Sequence, residues 1–252
     1  MKIEEIREIL KNTEESCLRE RLQDFSSDER GGVKKLVLQY GKKADRYEKE
    51  LIRLEKMRAY EKKYQEAEYI CGIDEVGRGP LAGPVVTCAV ILPKDCRIPY
   101  INDSKKLSEK KREELAQIIK QEAIEVNVTM ESPEVIDQIN ILQATLQSMK
   151  KSILGMEHKP DIVLADAVTI PGIPCGQDAV LTCLTKSISI AAASIVAKVT
   201  RDHMMEEYDK LYPEYDFASN KGYGTAKHME ALKEHGACPI HRKTFIKNFL
   251  DN

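Results

Sequence analysis

The sequence predicts an α/β protein, a mixed β-sheet flanked by helices, with an all-helical extension at its N-terminus. Three observations carry this reading. All 10 prolines lie from Pro80 onward, so composition divides the 252 residues near position 68. Residues 1–68 are charge-dense, with 17 basic and 16 acidic side chains, and their apolar residues recur at helical spacing. Beyond that point strands come first as a hairpin and then alternate with helices, the pattern of a mixed sheet with helical layers. The expected division is therefore a helical extension over 1–68 and an α/β domain over 69–252.

Within the extension, Ile3, Ile6 and Leu10 make one helical stripe, Val33, Leu36, Val37 and Tyr40 a second, and Tyr47, Leu51 and Leu54 a third. A break is expected around Ser26, and the last helix over about 45–65. Two roles stay open for this segment: a solvated appendage, or a helical hairpin that grips nucleic acid or a partner through Lys42, Lys43, Lys62 and Lys63. Residues 69–76 and 85–92 then read as paired antiparallel strands around a glycine-rich turn. A helix is expected over 108–121, a strand over 123–130, and a long helix over 134–154 opened by Ser132-Pro133. The apolar run 161–165 reads as a buried central strand. Another strand is expected at 179–184, an alanine-rich helix at 190–211, a helix capped by Thr225 and a short terminal helix.

Charge and composition exclude some classes. A net charge of −2 gives no global basic surplus, so any nucleic-acid site has to be local. The longest apolar stretch, 188–199, is shorter than the roughly 20 residues of a membrane span. The acidic N-terminus has no signal-peptide core, so a cytoplasmic protein is expected. Seven cysteines without a C-x-x-C pair support neither a zinc site nor a disulfide framework.

The chemistry concentrates in Ile73-Asp74-Glu75-Val76-Gly77-Arg78-Gly79-Pro80. Adjacent acids at the end of an apolar strand disfavour each other's ionisation, a cost that a bound cation removes. Asp166 closes another apolar strand and supplies a third carboxylate at the same predicted sheet edge. All-oxygen donors suit Mg²⁺ or Mn²⁺. The Gly77-Arg78-Gly79 turn lacks the ending of a P-loop and the spacing of a dinucleotide fingerprint.

Five segments together resemble bacterial ribonuclease HII, the type 2 ribonuclease H family: 72–85, Asn102-Asp103-Ser104-Lys105-Lys106-Leu107-Ser108, 189–202, Lys221-Gly222-Tyr223-Gly224-Thr225, and His241-Arg242-Lys243-Thr244-Phe245. The helical segment resembles, less specifically, an extension found in some members. The resemblance implies an RNase H-like fold and a monomeric, metal-dependent endonuclease. Its substrates would be RNA/DNA hybrids and single ribonucleotides embedded in duplex DNA, cut to leave 5′-phosphate and 3′-hydroxyl ends. It implies Asp74, Glu75 and Asp166 as ligands of two Mg²⁺ or Mn²⁺ ions. Gly77, Arg78 and Gly79 would sense the ribose 2′-hydroxyl, Tyr223 would pack on the neighbouring sugar, and Lys105, Lys106 and Arg242 would contact phosphates.

One position departs from the family pattern. Where the family carries a fourth metal-binding acid before the alanine-rich helix, this chain reads Thr182-Cys183-Leu184-Thr185-Lys186-Ser187, which places Leu184 at the acid's position. A leucine binds no cation. The expectation is impaired cleavage, and the alternative is a catalytically weak or dead hybrid-binding protein.

Overall fold

The computed structural model describes residues 1–180 and 186–250. Its contacts divide the chain into two units, Met1–Lys56 and Met57–Asn252.

The first unit is built from α1 (Ile3–Asn12), α2 (Leu18–Gln23) and most of α3 (Gly31–Met57). Ile6, Leu10, Leu18, Leu22, Val33, Leu36 and Ala44 form its core. The expected break lies between α2 and α3, but α3 begins at Gly31 rather than near Asp45 and continues through Gly41. A glycine inside a helix costs about 1 kcal/mol relative to alanine, and the burial of Val33, Leu36 and Ala44 outweighs it. Gly32 also allows a close approach, because a Cβ there would stand 2.8 Å from Ile3 Cδ1.

The second unit opens with α4 (Ala59–Lys63), whose Tyr60, together with Tyr64 just beyond it, packs on Ile70, Leu164, Val180 and Ile190. The contact boundary therefore falls upstream of the composition break. Lys63, one of the cations offered by the sequence for a nucleic-acid grip, is instead bonded to Asp178 at 2.7 Å.

Five strands, β1 (Ile70–Val76), β2 (Val85–Ile91), β3 (Glu125–Glu131), β4 (Ile162–Asp166) and β5 (Gly176–Val180), form one sheet in the order β3-β2-β1-β4-β5. β2 runs antiparallel to both its neighbours, β3 and β1, whereas β1, β4 and β5 run parallel. β5 starts three residues earlier than expected, and residues 181–184 of the expected strand lie outside the described residues.

α5 (Glu109–Glu122) starts at its Ser108 cap. The helix expected over 134–154 is two helices, α6 (Pro133–Ile139) and α7 (Ile141–Leu154). Asn140 divides them: it adopts φ 67°, and its side chain accepts from the amides of Leu142 and Gln143. Asparagine tolerates that conformation better than most residues, and its side-chain oxygen caps the N-terminus of α7.

α8 (Ile188–Leu211) is buried through its first turns, with Ile188 to Ala197 almost wholly excluded from solvent. Its alanines and serines permit close packing on β1, and Gly72 completes the fit, since a Cβ there would lie 2.1 Å from the Ser189 carbonyl carbon. The capping Ser187 and the Ser189 amide both bond the Glu61 carboxylate, which suits the positive end of the helix. A short α9 (Phe217–Asn220) precedes α10 (Ala226–His235) and α11 (Lys243–Leu250). Among the described residues no helix is long and apolar enough to cross a membrane.

Candidate active site

The register Ile73 to Ala165 brings the ends of β1 and β4 level, so Asp74 and Asp166 are neighbours at one sheet edge, followed on β1 by Glu75. Asp74 is only 9% exposed, and its carboxyl is pushed up to about 7 by burial first, then by the charges of Glu75 and Asp166. The Ser194 hydroxyl donates to it, and Ser194 is in turn 2.9 Å from the Ser104 hydroxyl. That serine pair ties α8 to the turn carrying Lys105 and Lys106, both exposed.

Burial also raises Glu75, against the pull of Arg78, whose Nη1 donates to Glu75 Oε1 at 3.3 Å. Glu75, Arg78 and Asp166 line an open cleft of about 370 Å³ floored by Leu142, Thr145 and Met149. Among the described residues no three histidine, cysteine or carboxylate side chains gather into a ready metal site.

The turn after β1 is held from beneath by two arginines. Arg242 is fully buried and donates to the carbonyls of Gly77, Arg78 and Gly83. Arg201, equally buried on α8, donates to the carbonyls of Ala82, Pro84 and Lys221. Among the described residues neither has a carboxylate ion-pair partner. Gly77 sits at φ 89°, where a Cβ would come 2.2 Å from Arg201 Nε. The Tyr223 loop docks on the same turn: the Leu81 amide donates to the Gly222 carbonyl at 2.8 Å, and the half-exposed Tyr223 ring lies beside Gly79.

A family model described as Ribonuclease HII matches residues 71–248, and one described as Ribonuclease HII N-terminal domain matches residues 2–65. The chain belongs to the ribonuclease HII family. As a ribonuclease it is a phosphodiester hydrolase. It is 56% identical to the ribonuclease HII of Lachnoclostridium phytofermentans over 224 residues, covering 89% of this chain and 88% of the relative. It is 49% identical to that of Clostridioides difficile over 250 residues, covering 98% of both chains. The fold is similar to the crystal structure of ribonuclease H2 from Pyrococcus horikoshii, with TM-score 0.63 at 26% identity, over 73% of this chain and 97% of that one.

Against the ribonuclease HII pattern, one expected contact is corrected. Arg242, expected at a substrate phosphate, is wholly buried; among the described residues its bonds go inward to loop carbonyls, and its guanidinium lies over the Phe245 ring. Sequence reasoning assigned no role to Arg201, although an arginine on the buried stretch of an alanine-rich helix was the available signal. Leu184 lies outside the described residues. Asp178, the nearest upstream acid, is engaged by Lys63 and the Tyr64 hydroxyl, both at 2.7 Å.

A histidine relay supports the tyrosine loop of this ribonuclease HII chain. The Cys238 amide donates to His241 Nδ1 at 3.0 Å, the two Nε2 atoms of His241 and His228 are 2.9 Å apart, and His228 Nδ1 donates to the Tyr223 carbonyl at 2.9 Å. That sequence of bonds is satisfied only when both rings are neutral, with His241 donating to His228. Burial first, and His228 second, lower His241 to about 4, and burial lowers His228. The unfolded chain takes up protons near pH 6.5 that the folded chain refuses, so stability falls as pH drops from about 6.5 toward 4. For His241 the shift corresponds to roughly 3 kcal/mol, complete below about pH 4. Thermal melts of wild type and His241→Asn should therefore converge in stability over this window, and a pH-independent difference would contradict the relay. The comparison separates this effect from Asp74, whose raised carboxyl acts in the opposite sense.

Proposed function

We propose that the chain is a divalent-metal-dependent endonuclease that cuts the RNA strand of RNA/DNA hybrids and single ribonucleotides in duplex DNA, leaving 5′-phosphate and 3′-hydroxyl ends. The observation that carries this reading is the placement of Asp74, Glu75 and Asp166 at one sheet edge beside the Gly77-Arg78-Gly79 turn and the exposed Tyr223. The donor set fits a hard cation. Every donor is a carboxylate oxygen, and the raised Asp74 carboxyl marks a crowding of negative charge that a cation would relieve. Asp74, Glu75 and Asp166 would hold Mg²⁺ or Mn²⁺, which when bound supplies stabilisation of charge developing on the phosphate.

The remaining work belongs to the chain's own groups. Backbone atoms of the Gly77-Arg78-Gly79 turn, fixed by Arg242, present themselves to the ribose 2′-hydroxyl that distinguishes RNA from DNA. Tyr223 offers an exposed ring against the adjoining sugar. Lys105 and Lys106 extend into solvent from the turn anchored by Ser104, where they meet the phosphates.

Leu184 in place of the fourth acid favours reduced cleavage. The test is cleavage of duplex DNA containing one ribonucleotide, in Mg²⁺ and in Mn²⁺, by wild type and by Leu184→Asp. The variant is expected to cut faster by about 10-fold or more, the scale on which metal-site partners act; equal rates would remove the proposed impairment. Hybrid binding without any cleavage at saturating Mn²⁺ would select the second reading, a binding protein that has lost the reaction.

A further inference from the structure

The first unit carries a groove of about 670 Å³ whose charged lining is entirely basic: Lys11, Lys35, Lys42, Lys43 and Arg46. Four of these lie on α3, with Lys35, Lys42 and Arg46 spaced by seven and four residues and so on one helical face. From Lys35 to Arg46 the helix rises by about 16 Å, at about 1.5 Å per residue. Along that length a nucleic-acid duplex presents on the order of ten phosphate charges, one per about 1.7 Å of its axis.

The acids of this unit do not cancel the groove's charge. Asp45 and Glu48 are held by Arg19, Glu29 is held by Lys34, and Glu50 is held by Arg53. Lys43 has Glu15 at 3.3 Å, and Lys11 has Glu8 at 3.8 Å. Among the described residues Lys35, Lys42 and Arg46 have no carboxylate partner, and all three are exposed. Opposite charges are thus paired elsewhere on the unit while cations converge here. Leu38, 63% exposed in the same lining, adds an apolar patch among them.

We propose that this groove binds the phosphate backbone of duplex nucleic acid, making the N-terminal unit a second, sequence-independent contact for the substrate. The proposal rests on the reading of the chain as an enzyme that acts on duplexes. It assigns the groove to affinity alone, since none of its residues belongs to the catalytic cleft.

The test uses the full chain carrying Lys35→Gln, Lys42→Gln and Arg46→Gln together, with Arg7→Gln, Arg21→Gln and Lys34→Gln, all ion-paired surface cations, as the charge-matched control. Fluorescence anisotropy with hybrid and all-DNA duplexes of about 30 base pairs, without divalent cation, is followed from about 50 to about 200 mM salt. The groove variant is expected to bind both duplexes about 10-fold or more weakly at the low-salt end, with a salt slope smaller by about 2.7 for three lost phosphate contacts. Its kcat should stay at the wild-type value while KM rises. Unchanged affinity and slope, or an equal loss in the control, would overturn the proposal. Failure of the enzyme reading shows separately, as absence of cleavage by the wild type, because the anisotropy comparison needs no reaction.

Discussion

Asp74→Asn is expected to abolish cleavage and at the same time to stabilise the folded protein at alkaline pH. The Asp74 carboxyl sits at about 7, far above its ordinary 3.8, because it is buried and faces Glu75 and Asp166. Between those two values the native state binds a proton that the unfolded chain has released, so stability declines as pH rises through the window and the loss is complete above about 7. The shift corresponds to about 4 kcal/mol. A neutral amide avoids that cost and keeps an oxygen to accept from Ser194, whereas it weakens the charge that holds a cation. Cleavage should fall by about 10²–10³-fold or more, the scale of losing one electrostatic contact to a transition state. Urea midpoints at pH 6 and above pH 8, with and without Mg²⁺, check the stability half. Wild type should gain stability from Mg²⁺, because a ligand that binds only the folded state stabilises it, and the variant should gain less. An Asn variant that still cuts at the wild-type rate would remove Asp74 from the site.

Arg242→Met is expected to destabilise the protein by roughly 3–9 kcal/mol, because the carbonyls of Gly77, Arg78 and Gly83 lose their donors and each unsatisfied buried group costs about 1–3 kcal/mol. That is a large share of the roughly 5–15 kcal/mol total of a domain. Arg242→Lys tests position apart from stability. An ammonium keeps the charge but lacks the planar fork that reaches three carbonyls at once. The lysine variant should retain the fold, measured by its denaturant midpoint, while losing discrimination between ribonucleotide and deoxyribonucleotide at the cleavage position. Unaltered discrimination would show that the turn holds its geometry without the guanidinium.

Much of the fold is legible in the sequence because its signals are local. The apolar run ending in Asp166, the caps at Ser108 and Thr225, and the glycine-rich link between β1 and β2 each specify an element without reference to distant residues. Asn140 is the counterexample within a helix-forming stretch, since a left-handed residue that caps its own successor looks, in sequence, like one more polar position. The continuity of α3 through Gly41, which joins two stripes that the sequence shows separately, escapes for the converse reason. Glycines argue against a helix locally, and only the packing of Val33 and Leu36 on α1 and α2 reverses that preference.

The carboxylates were readable from strand ends, and the motifs were enough to indicate the family. The sequence by itself determined which residue types are present and in what order: the acids at 74, 75 and 166, the glycine turn, the tyrosine loop, and the departure at Leu184. Only the tertiary structure decided how two charged side chains are used. Arg242 reads as a phosphate contact and Arg201 carries no reading of its own, yet both lie at the centre of a loop cluster, donating to carbonyls within residues 77–84 and, from Arg201, to that of Lys221. The physical reason is hydrogen-bond accounting. A turn folded back under a sheet edge has carbonyls that no regular ladder can satisfy, and a buried guanidinium with five donors meets that need from a position no local pattern marks.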